Sequence, residues 1–296
     1  MTPRPELLGL LDDIRQQPDD PSLRLILADW LEDHAQHPAD RARAEILRYQ
    51  ARGGAEPEVR RLQAMHGRAW LGPLEVFCQL VSCRGGLLSV RVAGPSLVSQ
   101  EFQKLLHTEN WAWVDELEIR PPLPARLPPP TLLQRISSLI LPQMPAHAPV
   151  RIWVRSGGLQ GVRQLDLSGW HGSFAEVQSI FDPLLLPGLR DLIYSHTVHS
   201  SRVVRAMLRL RLRRLVLSRA MLGDAEVEQL TQEPHLASVQ ELDLTDNAIT
   251  DAGAFALADS PYLTHVQVLT LFGNPFGVDG RRRLRERFGA RVLFVG

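Results

Sequence analysis

The chain of 296 residues has almost no lysine and very little cysteine. Of its 33 basic residues only Lys104 is a lysine, a bias that we attribute to the base composition of the gene. Two cysteines, Cys78 and Cys83, are too few for the disulfide framework of a small secreted protein, so we expect a reducing, cytoplasmic location. The formal net charge is zero, which gives no overall attraction to nucleic acid or to a membrane surface.

Long apolar runs are also missing from the chain. No stretch approaches the ~20 consecutive apolar residues that a membrane-spanning helix needs. The first residues do not form a basic segment followed by an apolar run. We therefore expect neither a membrane anchor nor a signal peptide.

The motifs that usually carry catalysis or bind a cofactor are absent. The sequence has no G-x-S-x-G, no G-x-x-x-x-G-K-S/T and no G-x-G-x-x-G after a strand. His34 and His37 lie three residues apart, but the two cysteines do not have the spacing of a zinc site. A cysteine nucleophile paired with His66 or His107 is an open alternative without a family signature around it. We expect no enzymatic activity, no cofactor and no metal.

The chain has a repeat instead. Eight short stretches with the pattern apolar-x-x-Leu-x-Leu recur at intervals of 22 to 27 residues. This period predicts an α/β solenoid of short parallel strands, in which alternate side chains point into the core. The inward positions that mark the repeats are Val90, Leu117, Leu139, Leu165, Leu192, Leu215, Leu242 and Leu269.

The last repeats continue as x-x-Asn-x-Ile-x-x-x-Gly-x-x-x-Leu, first from Asn247 and then from Asn274. This pattern resembles the ribonuclease-inhibitor-like class of leucine-rich repeats, which implies a helix after each strand. We expect each asparagine side chain to hydrogen-bond backbone groups where the strand turns. The earlier repeats depart from the pattern and predict irregular turns, since the residues near the asparagine position are Ala220, Thr197, Trp170, Met144, Pro122 and Pro95.

Two repeats contain proline-rich segments, at residues 120–131 and 142–149. Proline cannot continue the interior of a helix, so we expect extended loops on the convex side there. The closing stretch ARVLFVG predicts a final strand that caps the repeats.

Residues 1 to about 72 lack the repeat and predict four helices. The second helix should begin at Pro21 or Ser22, and the third should cover residues 39–51 with Ala42, Ile46 and Tyr49 inward. The segments ELLGLLDDIRQQPDDPSLRLILADWLEDH and RARAEILRYQ resemble the bacterial repeat-companion domain, and HGRAWLGPL resembles the segment that joins it to repeats. The resemblance implies an association with repeat proteins but no biochemical activity. The predicted domains are residues 1–75 and 76–296, the second with about eight repeats and a C-terminal cap.

The residues beside the inward leucines should line the concave face of the strands. They mix acids with hydroxyl and apolar side chains, which suits a protein ligand better than a phosphate backbone. Trp170 at the rim is a candidate anchor if it is exposed, and the alternative is that it fills a gap beside an irregular repeat. We therefore expect non-catalytic recognition of a partner protein by Glu116, Glu118, Arg120, Gln164, Asp166, Ser168, Trp170, Asp191, Arg214, Glu241, Asp243, Thr245, Thr270 and Phe272.

Three alternatives stay open at this point. Similar repeats act as nuclease inhibitors and GTPase activators, so the chain could regulate a partner enzyme. The arginines within residues 202–214 and 281–291 could bind nucleic acid, although they read first as polar faces of helices. Residues 1–50 hold ten acids against six arginines, so this acidic block could cap the repeats or bind a partner.

Overall fold

The computed structural model describes residues 3–54, 56–125, 129–145, 148–155, 158–197 and 201–294. The chain divides into two compact units, Met1–Leu139 and Ile140–Gly296, and each is described by itself. The boundary that the sequence predicts, between residues 75 and 76, stays a prediction.

The described residues before the first strand form four helices. These helices are α1 (Pro5–Gln16), α2 (Pro21–Asp33), α3 (Pro38–Ala51) and α4 (Glu56–Leu71). Proline occupies the first turn of α1, α2 and α3, where its missing N–H costs no hydrogen bond. The Asp20 carboxylate caps α2 by accepting a hydrogen bond from the Ser22 N–H at 2.8 Å. The predicted start of the second helix is therefore confirmed.

The inward face of α3 differs from the prediction in one residue. Tyr49 is 36% exposed, whereas Ile46 and Leu47 are buried. At the end of α3 the side chain that points inward is that of Gln50. Its Nε2 donates to the Cys83 carbonyl at 2.9 Å, and its Oε1 accepts from the Gly86 N–H at 3.2 Å. Tyr49 is consequently displaced to the edge of the buried face, and its predicted inward position is wrong.

Three strands of the first unit follow these helices. They are β1 (Cys78–Arg84), β2 (Leu87–Ala93) and β3 (Val114–Arg120). The strand β2 pairs with β3 in parallel, and Val90, Val92 and Leu117 are buried as the repeat predicts. The strand β1 was not predicted; it pairs antiparallel with β2 through a tight turn at Gly85 and Gly86. Both glycines have positive φ, the conformation that two-residue hairpin turns require.

Buried arginines join the four helices to the strands of the first unit. The Arg43 guanidinium carbon lies 3.8 Å from the centre of the Trp113 ring and 5.3 Å from that of Trp70. Burial lowers the pKa of Arg43 to about 10. The Arg15 guanidinium donates to the carbonyls of Ala112 and Val114 at 2.5 and 3.2 Å. The helical segment thus packs on the first repeats within one unit.

Short helices alternate with strands in the rest of the described chain. The first unit contains α5 (Gln100–Leu105) and α6 (Glu109–Ala112), and β4 (Ser138–Ile140) spans the boundary between the units. The helices of the second unit are α7 (Val150–Arg155), α8 (Phe174–Ile180), α9 (Ser201–Leu208), α10 (Asp224–Thr231), α11 (Asp251–Asp259) and α12 (Val278–Phe288). Its strands are β5 (Gln164–Asp166), β6 (Asp191–Ile193), β7 (Arg214–Val216), β8 (Glu241–Asp243), β9 (Val268–Thr270) and β10 (Val292–Leu293).

The strands β5 to β10 are parallel neighbours in sequence order. Their central leucines are aligned residue by residue, and each is buried, as the repeat predicts. These leucines are Leu165, Leu192, Leu215, Leu242 and Leu269. The final strand β10 pairs Val292 with Leu269, which agrees with the predicted capping strand.

The two asparagines make the expected backbone contacts. The Asn247 Oδ1 accepts from the Ala220 and Leu222 N–H groups, both at 3.0 Å, while its Nδ2 donates to the Leu244 carbonyl at 2.8 Å. The Asn274 Nδ2 donates to the Leu244 carbonyl at 2.9 Å. Each amide therefore joins its own repeat to the preceding one.

Trp170 occupies the asparagine position of an earlier repeat, and it is fully buried. Its ring packs near Tyr194, with 6.2 Å between the ring centres, and Tyr194 packs against Phe181 at 6.0 Å. Trp170 as an exposed anchor in the predicted site is therefore wrong, and the alternative, that it fills a gap beside an irregular repeat, is confirmed. The side chain replaces the asparagine as an apolar filler of the core. Trp111 and Trp113, which precede β3, are also buried.

The proline-rich segments contain no α-helix in their described residues. In the first, residues 121–125 have no regular structure and Pro130–Leu132 forms a single 3-10 turn. Residues 126–128 and 146–147 of the two predicted loops lie outside the described residues.

Aspartates at the start of the last helices contribute a second set of contacts between repeats. The Asp224 Oδ1 accepts from the N–H groups of Thr250 and Gly253 at 2.8 and 2.9 Å. The Asp251 Oδ1 accepts from Gly277 and Gly280 at 2.7 and 3.0 Å. A Cβ at position 253 would lie 2.5 Å from the Asp224 Oδ1, so only glycine fits there. The repeat glycine is thus explained by a carboxylate from the preceding repeat.

Candidate binding surface

The outward side chains of the second unit form three rows beside the inward leucines. We call these rows the strand face. The first row contains Gln164, Asp191, Arg214, Glu241 and Val268, and the second contains Asp166, Ile193, Val216, Asp243 and Thr270. The third row follows the strands and contains Ser168, Ser195, Ser218, Thr245 and Phe272. The structure therefore brings most of the predicted site residues onto one surface.

The residue after each of the five members of the third row has a positive φ between 53° and 75°. In order along the chain these residues are Gly169, His196, Arg219, Asp246 and Gly273. Gln143, which follows Pro142 in the preceding repeat, has a φ of 51°. Because the left-handed conformation turns the chain sharply, it marks the edge of the strand face.

The strand face is acidic around a small apolar centre. Its rows contain four carboxylates and one guanidinium, that of Arg214. Ile193 and Val216 lie side by side in the second row, between Asp166 and Asp243. Val216 retains only 7% exposure although it lies on the outward side, because its neighbours shield it. Ile193 is therefore the more accessible residue of this pair, and polar side chains surround the two.

Two carboxylates of the second row are held by their own chain. The Asp243 Oδ1 accepts from the Thr245 N–H at 2.9 Å. The Asp166 Oδ1 accepts from the N–H and hydroxyl of Ser168 at 2.8 and 2.6 Å. Because both carboxylates are fixed by the residue two positions later, their orientation is set before any ligand arrives.

The first row contains an ion pair and a partly buried acid. Arg214 Nε lies 3.3 Å from a Glu241 carboxylate oxygen, and both side chains are well exposed. Burial raises the pKa of Asp191, while Arg213 and Arg214 act in the opposite direction. The Asp191 Oδ1 is buried and accepts no hydrogen bond from the described residues. Because this oxygen has almost no solvent-accessible surface, it is not available to a ligand on the strand face.

The predicted site residues of the first unit are engaged with their neighbours. The Glu116 carboxylate accepts from the hydroxyls of Ser89 and Ser138 at 2.6 and 3.0 Å. Arg91 Nε donates to Glu118 at 2.6 Å. Arg120 is exposed at the end of β3. Because the two glutamates already have internal partners, they are weaker candidates for binding than the acids of the strand face.

Neither cysteine has the environment of a nucleophile. Both thiols are buried and unbonded to each other. Burial raises the pKa of Cys78 to about 12 and that of Cys83 to about 11, which disfavours the reactive thiolate. The described residues contain no group of three or more histidine, cysteine or acidic side chains that could hold a metal ion. The His34 ring bonds the Trp30 carbonyl and stacks on the Trp30 ring at 4.6 Å.

The arginine-rich segments lie on helices and the loops after them. Residues 201–208 form α9, and residues 209–213 connect it to β7. Arg205 pairs with Glu233 at 2.6 Å. In α12, Arg283 pairs with Asp259 at 2.5 Å and Arg282 with Asp279 at 2.7 Å. Arg202 also belongs to the arginine series that the sequence suggested, but its side chain is not among the described ones.

The helical segment has two surface features that the sequence did not predict, a set of ion pairs around Arg48 and a groove. Arg48 ties α3 to α2 through Asp29, at 2.5 Å, and Glu32. A groove of about 620 Å³ lies along these helices, with Glu45, Tyr49 and His66 in its lining. Acids and arginines alternate in the groove, so its charge favours no ligand class. The only sequence signal was the excess of acids in residues 1–50.

Comparison with known proteins gives a local match and distant structural likenesses. A family model described as a leucine-rich repeat matches residues 235–258, which run from the turn before β8 into α11. A comparison with curated proteins finds no match. The parallel strands, the following helices and the asparagine contacts, together with this match, define an α/β leucine-rich-repeat fold.

Three solved structures resemble the chain. A structure of TLR13 in complex with ssRNA13 has 19% identity and a TM-score of 0.39, covering 55% of this chain and 26% of that chain. An internalin from Listeria monocytogenes has 15% identity and a TM-score of 0.36, covering 62% and 54%. A protein from Bacteroides fragilis has 12% identity and a TM-score of 0.39, covering 69% and 64%. The match thus spans less than two thirds of each of these chains.

No helix among the described residues combines the length and the apolar character that crossing a bilayer demands.

Proposed function

We propose that this protein is a non-catalytic scaffold that binds a partner protein through the strand face of its second unit. The observation that carries the proposal is the pair Ile193 and Val216, outward on adjacent strands and placed between the carboxylates of Asp166 and Asp243. Protein interfaces typically combine an apolar centre with a polar rim, and the leucine-rich-repeat fold serves generally as a protein-binding scaffold.

The charge of the strand face indicates the chemistry of the partner. Four carboxylates face outward, and only Arg214 opposes them, already paired with Glu241. Acids repel a phosphate backbone and attract a basic surface, so the partner should present lysine or arginine around an apolar side chain.

Neutral variants of the same shape test this proposal with little change to the fold. Asp166→Asn with Asp243→Asn removes two charges but keeps an oxygen that can accept from Ser168 and Thr245. A matched control, Glu228→Gln with Glu286→Gln, removes two charges from exposed helical positions. We expect a basic partner captured from a host lysate, then purified, to bind the strand-face variant at least tenfold more weakly and the control like wild type.

Equal affinity of the partner for all three proteins would show that the strand face does not bind it. If the purified partner is an enzyme, its rate with and without this protein distinguishes a scaffold from a regulator. A nucleic-acid function predicts instead a salt-sensitive retention of DNA or RNA that these two acidic variants do not weaken.

A further inference from the structure

A second candidate site lies in the loops that precede three successive strands of the second unit. Arg190 directly precedes β6, Arg209 and Arg211 lie between α9 and β7, and His235 lies in the turn before β8. These four side chains line one pocket of about 450 Å³. None of them belongs to the strand face, so this pocket is separate from the surface proposed above.

The lining of this pocket is basic. No acidic residue lines it, and no ion pair joins a described carboxylate to Arg190, Arg209 or Arg211, although the neighbouring Asp191 attracts Arg190 electrostatically. Two nearby acids have partners outside the pocket, since Glu233 pairs with Arg205 and Glu241 with Arg214. The surrounding sequence repeats the bias, because residues 183–213 contain six arginines and one acid.

We propose that this pocket binds a small phosphate-bearing molecule. A guanidinium presents its N–H groups as a planar fork that matches two phosphate oxygens, and three arginine residues line this one volume. The remaining walls are prolines and leucines, such as Pro187 and Leu210, which can contact an apolar part of the ligand. The volume is within the range of ordinary small-molecule sites, roughly 300–1,000 Å³.

The same arginines suit a small ligand better than a nucleic-acid backbone. An extended polyanion is bound by cations spread along a surface. Here Arg205 and Arg214, the outer described members of the arginine series, are occupied by glutamates. The unpaired guanidiniums are gathered at one pocket, where a compact group with two or more negative charges can reach them together.

Calorimetric titration of the full chain with pyrophosphate and with ATP tests the proposal. The pocket variant is Arg209→Gln with Arg211→Gln, and the control is Arg282→Gln with Arg287→Gln, which removes the same charge from α12. We expect one saturable site in wild type, at least tenfold weaker binding in the pocket variant, and no change in the control. ATP should bind at least as tightly as pyrophosphate, because its base can contact the apolar walls.

Because Arg209 and Arg211 are exposed, we expect the pocket variant to have the melting temperature of wild type. If this double substitution disturbs folding, Arg190→Gln supplies an independent variant of the same pocket. Absence of saturable binding by wild type would overturn the proposal, as would equal losses in the pocket variant and the control. A single-stranded RNA 12-mer is the third arm. Tighter binding of this oligomer than of ATP, lost in the pocket variant, would assign the arginines to nucleic acid instead.

Discussion

The repeats in the middle of the second unit and those at its C-terminal end fill the same inward position with different chemistry. At Trp170 the position holds an aromatic ring that packs near Tyr194, whereas at Asn247 it holds an amide that bonds backbone groups of two repeats. Both side chains are buried. The side chain at this position therefore points inward in both kinds of repeat, and either apolar packing or hydrogen bonding can stabilise the turn that follows the strand.

The largest expected effect comes from emptying the aromatic position. Trp170→Ala removes a fully buried ring and leaves a cavity, which should lower the free energy of unfolding by about 3–5 kcal/mol. Chemical denaturation of the wild type and the variant measures this difference in the free energy of unfolding. Trp170→Phe is the control, because the Nε1–H of Trp170 has no partner among the described residues and its loss should cost little. Similar destabilisation by both variants would mean that the indole N–H, rather than the filled volume, closes this turn.

Asn247→Ala should have the next largest effect. It leaves the N–H groups of Ala220 and Leu222 buried without their acceptor, at a cost of about 1–3 kcal/mol. Asn274→Ala serves as the comparison and should cost less, because its Oδ1 accepts only from Ile249 among the described residues. Thermal unfolding of the two variants ranks them. The reverse order would contradict the idea that the number of backbone N–H groups bound by each amide sets its contribution to stability.

The smallest loss of stability is expected from removing a carboxylate that caps the start of a helix. Asp251→Ala removes the acceptor of the Gly277 and Gly280 N–H groups and should cost about 0.5–2 kcal/mol, as the loss of a helix cap does. Hydrogen exchange of these two amides should quicken more than that of the strand amides. Unchanged exchange at both glycines would show that solvent replaces the carboxylate without loss.

The periodic part of the fold could be predicted from the sequence because its cause is local. Alternation within each strand and a fixed interval between strands place Leu192 and Leu242 inward without any knowledge of their partners. The Asn247 contacts were predictable for the same reason. The strand β1 could not be predicted from the repeat, since it pairs antiparallel through a hairpin.

Features that depend on residues far apart in the chain could not be predicted. The packing partner of Trp170 is Tyr194, 24 positions away, and the Asp224 cap acts on Gly253 in the next repeat. The engagement of Glu116 by two serines likewise requires the strand register. The sequence therefore predicted which residues line the strand surface, but not which of them already have internal partners.

Site-specific cross-linking tests directly whether the partner protein binds the strand face of the second unit. A photoreactive residue at Thr270, in the second row between Asp243 and Leu293, is compared with one at Gln229, an exposed position on α10. We expect the partner purified by capture to cross-link from position 270 and not from position 229. Cross-linking from position 229 alone would contradict this expectation and would place recognition on the helices.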